Sequence, residues 1–429
     1  MTTRRTRNRC RRACRSGRRG FTLIELLVAI IAGLMVAAVA FAFSKSATRF
    51  FSQEARIASA QMTVQNGFQR LQADLARASF LSTPNMRRDY DFHRVCAPNY
   101  DTWPVALKTL VGLRIFRGDG ANTGARQLPD GTYPDTVRIA GSFASTDMFP
   151  VASVEAGVQG SIVTLNIDNG PIARAGLTEG DNPRMNDIFK PGRILRILDT
   201  DGVQEFSVIT EATWNVGSLP TIKTRDVIPI KGVDDPLCGC SGMGTGTQAS
   251  VISIVEYAII DAKLLSGGNA DIYKATIFSE AGAAYGDDTR TELVRREVLV
   301  SDQDPPAIHL DNNAEIVAEY AVDLRFGLWV GSGSGVGLTY VAPGDIDTWM
   351  TIANSYTEGT APSGPEAVRA VEARLVVRSR EVDRTEAVGS TADGGYIHRF
   401  PLPDDAGVAR ARTLVANVSL PNQRGETWQ

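Results

Sequence analysis

Residues 21–43, FTLIELLVAIIAGLMVAAVAFAF, form an apolar run of 23 residues broken by one charge, Glu25. At about 1.5 Å per residue the run makes a helix of roughly 35 Å, enough to cross the hydrocarbon core of a bilayer. Before it, residues 1–20 carry nine Arg and no acid. Such a flank stays in the cytoplasm, so the rest of the chain is expected to be sent across. Setting those nine aside leaves 36 basic against 48 acidic residues, a net charge of −12 on residues 21–429. A body of that sign is a poor trap for nucleic acid, whose affinity rests on neutralising phosphate.

Glu25 is the anomaly, because a carboxylate inside an apolar helix costs several kcal/mol unless a partner offsets it. A cut between Gly20 and Phe21 would place the new α-amino group of Phe21 at the same end of the segment as Glu25. The amine of a neighbouring subunit could meet this carboxylate while the apolar helices pack side by side.

Arg18-Arg19-Gly20 followed by FTLIELLVAI resembles the class III signal of type IV prepilins and pseudopilins. That resemblance implies a prepilin peptidase that cuts after Gly20 and methylates Phe21, with Glu25 guiding assembly. Two other readings compete: Ala40-Phe41-Ala42 fits a small-x-small signal-peptidase site, and Arg18-Arg19-Gly20-Phe21 partly fits a twin-arginine signal. Against both, Glu25 would interrupt the apolar core of such a signal, and the helical pattern continues past residue 43.

In residues 44–80, Ile57, Val64, Phe68, Leu71 and Leu75 fall on one helical stripe, with Arg56, Gln65, Gln69, Arg70 and Asp74 on the other face. Pro84 follows the expected end. The pattern predicts one helix over 21–80, apolar first and then amphipathic.

From residue 81 helical stripes give way to short β-branched or alternating runs separated by Gly, Pro, Asp and Asn. Expected strands are 110–116, 136–143, 161–167, 193–199, 204–213, 250–260, 271–278, 292–300, 315–330, 369–380 and 411–420. Asp201-Gly202 between RILRILD and QEFSVIT is the clearest hairpin signal. Residues 168–235 are expected to form an inserted β-unit, and 239–249 and 353–365 to be loops. The fold class is therefore α+β: a leader at 1–20, a helix at 21–80 and a β-rich head at 81–429.

Several head segments resemble PilW-type minor pilins, which share ancestry with J-type pseudopilins of type II secretion: GTYPDTVRIAGSF, EIVAEYAVDLRFGLWV, EARLVVRSRE and RTLVANVSLPNQ. The resemblance implies an inner-membrane subunit with a periplasmic head that enters a pilus. Its partners would be other minor pilins, the major pilin and a tip adhesin, and it would have no enzymatic activity or cofactor.

Catalytic and metal motifs are sparse. His93, His309 and His398 are widely spaced and belong to no zinc pattern. Gly331 to Gly337 lacks the GK[ST] of a phosphate loop and reads as a hairpin. Asp199-Thr200-Asp201-Gly202 opens like a calcium loop but lacks its closing Glu, so turn chemistry explains it better. Arg117-Gly118-Asp119 is a chance tripeptide. Cys10 and Cys14 would leave with the leader, which puts Cys96, Cys238 and Cys240 in an oxidising compartment. A Cys238–Cys240 bridge would be strained, so Cys96 is expected to bond one of them, with a Cys metal site as the minor alternative.

Overall fold

A computed structural model describes residues 22–86, 89, 107, 110–118, 125, 127–128, 131–157, 160–167, 170–200, 202–228, 246–265, 290–300, 308–310, 314–331, 337–346, 364–384, 399–402 and 407–423. An apolar N-terminal helix is followed by a β-rich head, an α+β arrangement. The chain divides into two compact units, Met1–Met62 and Thr63–Gln429. Helix α1, Leu23–Ala76, contributes to both. It stops four residues short of the expected end, because Arg77 to Leu81 turn away, with Ser79 and Leu81 both at positive φ.

In the second unit, Val64, Phe68, Leu71 and Leu75 of α1 are buried, whereas Gln65, Gln69 and Arg70 are exposed. The buried four share one core with the inner faces of two antiparallel sheets. Asp74 departs from expectation. It belongs to the polar face of the pattern, yet it is buried, because Tyr257 and Arg295 converge on its carboxylate. At Gly67 the helix meets the Val317 carbonyl so closely that a Cβ would stand 2.0 Å from that oxygen, which explains a glycine inside a helix.

The first sheet begins with β1 (Leu113–Gly118) and β2 (Tyr133–Gly141) and centres on β8 (Gln248–Asp261). Its far side carries β9 (Thr291–Val300), which pairs with β10 (Ile308–Leu310) and β11 (Glu315–Glu319). β8 is buried along nearly its whole length, as its largely apolar segment ASVISIVEYAII, without alternation, requires of a strand covered on both faces. Its two halves have different neighbours. Residues 253–261 pair with β2 and β9, whereas 248–252 pair with β3 (Phe149–Ala156) and β5 (Ile194–Leu198).

From there the pairing closes on itself. β3 joins β4 (Ser161–Leu165), β4 joins β7 (Thr221–Thr224), β7 joins β6 (Gln204–Thr213), and β6 returns through β5 to β8. Phe149, Val163, Leu165, Ile197, Ile222 and Val251 belong to the separate core of this six-stranded ring. Two short helices, α2 (Gly170–Arg174) and α3 (Asn182–Ile188), add Ile172, Met185 and Ile188 to it. The Phe189 ring meets Phe149 edge-on with centroids 5.1 Å apart. The turn between β5 and β6 carries Gly202 at φ +81°, the positive value that the Asp-Gly pair favours. Residues 168–235 contribute β5, β6, β7 and both short helices to the ring, while β3 and β4 precede them.

The second sheet has the order β13 (Leu338–Val341), β12 (Ala321–Gly331), β14 (Val368–Arg384), β16 (Val408–Ser419), β15 (Arg399–Pro401). The single strand expected over 315–330 is two strands in different sheets, broken at Tyr320. There φ is +56°, the backbone N–H donates to Glu292, and the chain crosses between sheets. β3, β7, β10, β13 and β15 were not among the expected strands, being short or without clean alternation. The expected strand at 271–278 lies outside the described residues.

Candidate processing and assembly site

α1 starts where Thr22 meets the apolar run. The Thr22 N–H and hydroxyl both donate to Glu25 Oε2 at 2.9 Å, and the Glu25 N–H returns a 3.3 Å bond to the Thr22 hydroxyl. This is a reciprocal capping box, Thr at the N-cap and Glu three residues on. It satisfies helix-terminal N–H groups that would otherwise enter lipid unpaired. The signal T-x-x-E ahead of an apolar run was present in the sequence, so Thr22 is a site residue that the reading of Glu25 alone missed.

Glu25 thus has one carboxylate oxygen committed to Thr22 at the very start of the helix. Oε1 has no partner among the described residues, which leaves it available to a cation. Gly20 and Phe21 lie outside the described residues. A cut between them would leave a new amine at residue 21, one position in sequence before the N-cap Thr22.

Every side chain from Leu23 to Ser46 is exposed. Leu23–Thr48 is long and apolar enough to cross a membrane. Along it Ala29, Gly33 and Ala37 recur every fourth residue on one face, where a neighbouring helix can approach closely.

Other candidate positions carry ordinary structural roles or fall outside the described residues. Asp199 Oδ1 accepts from the Thr200 N–H at 2.8 Å, and the Asp199 carbonyl accepts from the Gly202 N–H at 3.1 Å. This is turn bonding between β5 and β6. Gly331 and Leu338 are cross-strand partners in the β12–β13 hairpin, so no helix follows the glycine run. Arg117 donates to the Pro343 carbonyl, a packing role. His309 lies on β10, whereas His93, His398, Cys96, Cys238 and Cys240 lie outside the described residues. Among the described residues no group of three or more His, Cys, Asp or Glu is placed to hold a metal ion.

No curated protein and no solved structure matches the chain. Residues 15–41 match the family model of the prokaryotic N-terminal methylation motif. That span contains Gly20, Phe21, Thr22 and Glu25 together with the apolar helix as far as residue 41, so the chain carries at its N-terminus a class III signal of the type IV pilin and pseudopilin kind.

Proposed function

We propose that this chain is a PilW-like minor pilin that helps to initiate a type IV pilus within a priming complex at or near the tip. It is a structural subunit with no catalytic role. The observation that carries the reading is the Gly20-Phe21-Thr22 to Glu25 signature, with Glu25 fixed at the first turn of an exposed apolar helix. Prepilin peptidase clips after Gly20 and methylates Phe21. The helix then holds the protein in the inner membrane with its head in the periplasm until other minor pilins, the major pilin and a tip adhesin take it up. The six-stranded ring is the candidate for an inserted β-unit on the head, with β3 and β4 extending the 168–235 segment toward the N-terminus. In the oxidised head Cys96 bonds Cys238 or Cys240.

The same signal serves a J-like pseudopilin of a type II secretion system. Gene neighbourhood separates the two: pilin and adhesin genes for the first, secretin and secretion-ATPase genes for the second. A monomeric anchored or secreted β-protein that binds an extracellular ligand would need no methylated terminus. Mass spectrometry of the native N-terminus is therefore the test. N-methylated Phe21 is expected, while a terminus at Phe43, or at Met1 in an assembled filament, overturns the proposal.

A further inference from the structure

Behind the shared core, the two sheets meet at one buried carboxyl. β12 pairs with β14 along one edge, but on its other edge it pairs with β13 only from Leu328 to Gly331. Beyond that stretch the Phe326 N–H donates to Asp135 Oδ2 of β2 at 3.3 Å. Asp135 is 1% exposed, and its Oδ1 is buried with no hydrogen-bond partner.

Charged groups of two strands act on this carboxyl. Arg117 comes from β1 and Arg325 and Asp323 from β12, while Arg374 of β14 stands against Asp323. The three guanidiniums are engaged elsewhere. Arg325 Nε donates to Asp323 Oδ1 at 2.9 Å, and its Nη2 donates to Thr132. Arg374 Nη2 stands 3.7 Å from Asp323 Oδ2, and Arg117 donates to the Pro343 carbonyl. Asp135 therefore feels positive charge without a direct ion pair, at the point where a strand edge from one sheet rests on the other.

We propose that Asp135 is a pH-operated latch between the two sheets: as a neutral acid it holds the edge of β12 at Phe326 against β2, and on ionisation that hold weakens. The physical reason is the cost of a buried carboxylate with a single hydrogen bond. Burial pushes the Asp135 carboxyl up to about 7, and Asp323 adds to the rise. Together they outweigh the opposing pull of Arg325, of Arg117 and of the Phe326 N–H.

The sign follows from linkage. An open junction exposes the carboxyl to water, where it ionises near its ordinary value of about 3.9. Between that value and about 7 the closed form holds a proton that the open form has lost. Opening thus becomes up to about tenfold easier per pH unit across that window and levels off above it. Acidification tightens the latch.

The test is amide hydrogen exchange at Phe326 in the full chain in detergent, corrected for the intrinsic pH dependence of exchange. Protection in the wild type should fall by up to about tenfold per unit from pH 5 to 7 and then flatten. Asp135→Asn keeps an acceptor for Phe326 without the titration, so its corrected protection should be flat with pH. Flat protection in the wild type, or an equal slope in Asp135→Asn, overturns the proposal. Should that variant fail to fold, infrared spectroscopy of the wild type decides. A protonated-carboxyl stretch should persist at pH 6 and fade as pH passes about 7, and its absence at pH 6 overturns the latch.

Discussion

The Tyr257 hydroxyl donates to the Asp74 carboxylate at 2.7 Å, joining the middle of β8 to the last helical turn of α1. Arg295, the cross-strand partner of Tyr257 on β9, donates to the same Oδ2 at 2.7 Å. Two neighbouring strands thus hold one helical carboxylate. Burial and the adjacent Asp74 keep the Tyr257 hydroxyl protonated far above its ordinary range. Asp74→Ala strands Arg295 in a mostly buried position, which ordinarily costs about 3–5 kcal/mol. Glu315, 3.7 Å from Arg295 Nη1, softens the loss toward the lower end. Denaturant unfolding of the two proteins in the same detergent should show it. A change below about 1 kcal/mol would remove Asp74 from any role in fastening the helix.

Gly67 separates helix propensity from packing. Propensity alone would have Gly67→Ala gain about 1 kcal/mol. The Val317 carbonyl oxygen, 2.0 Å from where the new Cβ must go, forces helix and strand apart instead. The expected outcome is a loss of about 1–3 kcal/mol, read as a lower unfolding midpoint. A raised midpoint would show that β11 yields freely.

Tyr320 is held at φ +56°, and its ring meets the guanidiniums of Arg290, 4.4 Å from the centroid, and Arg378, 5.1 Å away. Tyr320→Ala and Tyr320→Gly both lose the ring. Only the glycine relieves the backbone, so Tyr320→Gly should be the more stable of the two by about 1 kcal/mol. Equal stabilities would mean that the crossing between sheets carries no backbone strain.

What was legible in the sequence was local. The 204–213 strand, the apolar run of β8 and the N-terminal segment each announce themselves through neighbouring residues. Asp74 does not, because its partners lie 183 and 221 positions away and turn a polar-face residue into a buried one. The break at Tyr320 is hidden for a similar reason: EIVAEYAVDLRFGLWV is continuous in β character, and the groups that hold the backbone turn, Glu292 of β9 and the Arg378 N–H of β14, are distant in sequence. The closure of the six-stranded ring depends on β7, four residues long, and on β3, which carries no clean alternation. At the processing site the helix start was the legible part. The pairing of Thr22 with Glu25 was written in the same six residues and needed only the capping rule to be applied there.

Cys96, with Cys238 or Cys240, gives a prediction about redox state. Nonreducing peptide mapping of the oxidised protein should recover a peptide containing residue 96 joined to one containing residues 238–240. Three free thiols would sink the pairing. Replacing Cys96 by Ser should lower stability by about 2–5 kcal/mol under oxidising conditions and leave it unchanged under reducing ones.

Glu25→Ala and Thr22→Ala divide the carboxylate's two tasks. Within its own chain Glu25 closes the capping box with Thr22; Glu25→Ala removes the whole box, whereas Thr22→Ala removes only the two bonds of the hydroxyl. Toward a neighbouring subunit it offers the only acidic group in residues 21–43 to a methylated amine. Removing a carboxylate from an apolar segment eases insertion, by at most about 2–3 kcal/mol, so neither variant should leave the membrane fraction. If assembly draws on the charge, Glu25→Ala leaves the neighbour's amine unpaired in lipid, and partner pilins should be lost on co-purification at matched membrane levels. Thr22→Ala keeps the charge, and the backbone N–H of residue 22 still reaches Oε2, so it should recover partners nearly as well as the wild type. Equal loss in both variants would assign Glu25 to helix capping alone, and unchanged recovery with unchanged piliation in Glu25→Ala would make the carboxylate dispensable, as at a filament tip with no neighbour ahead.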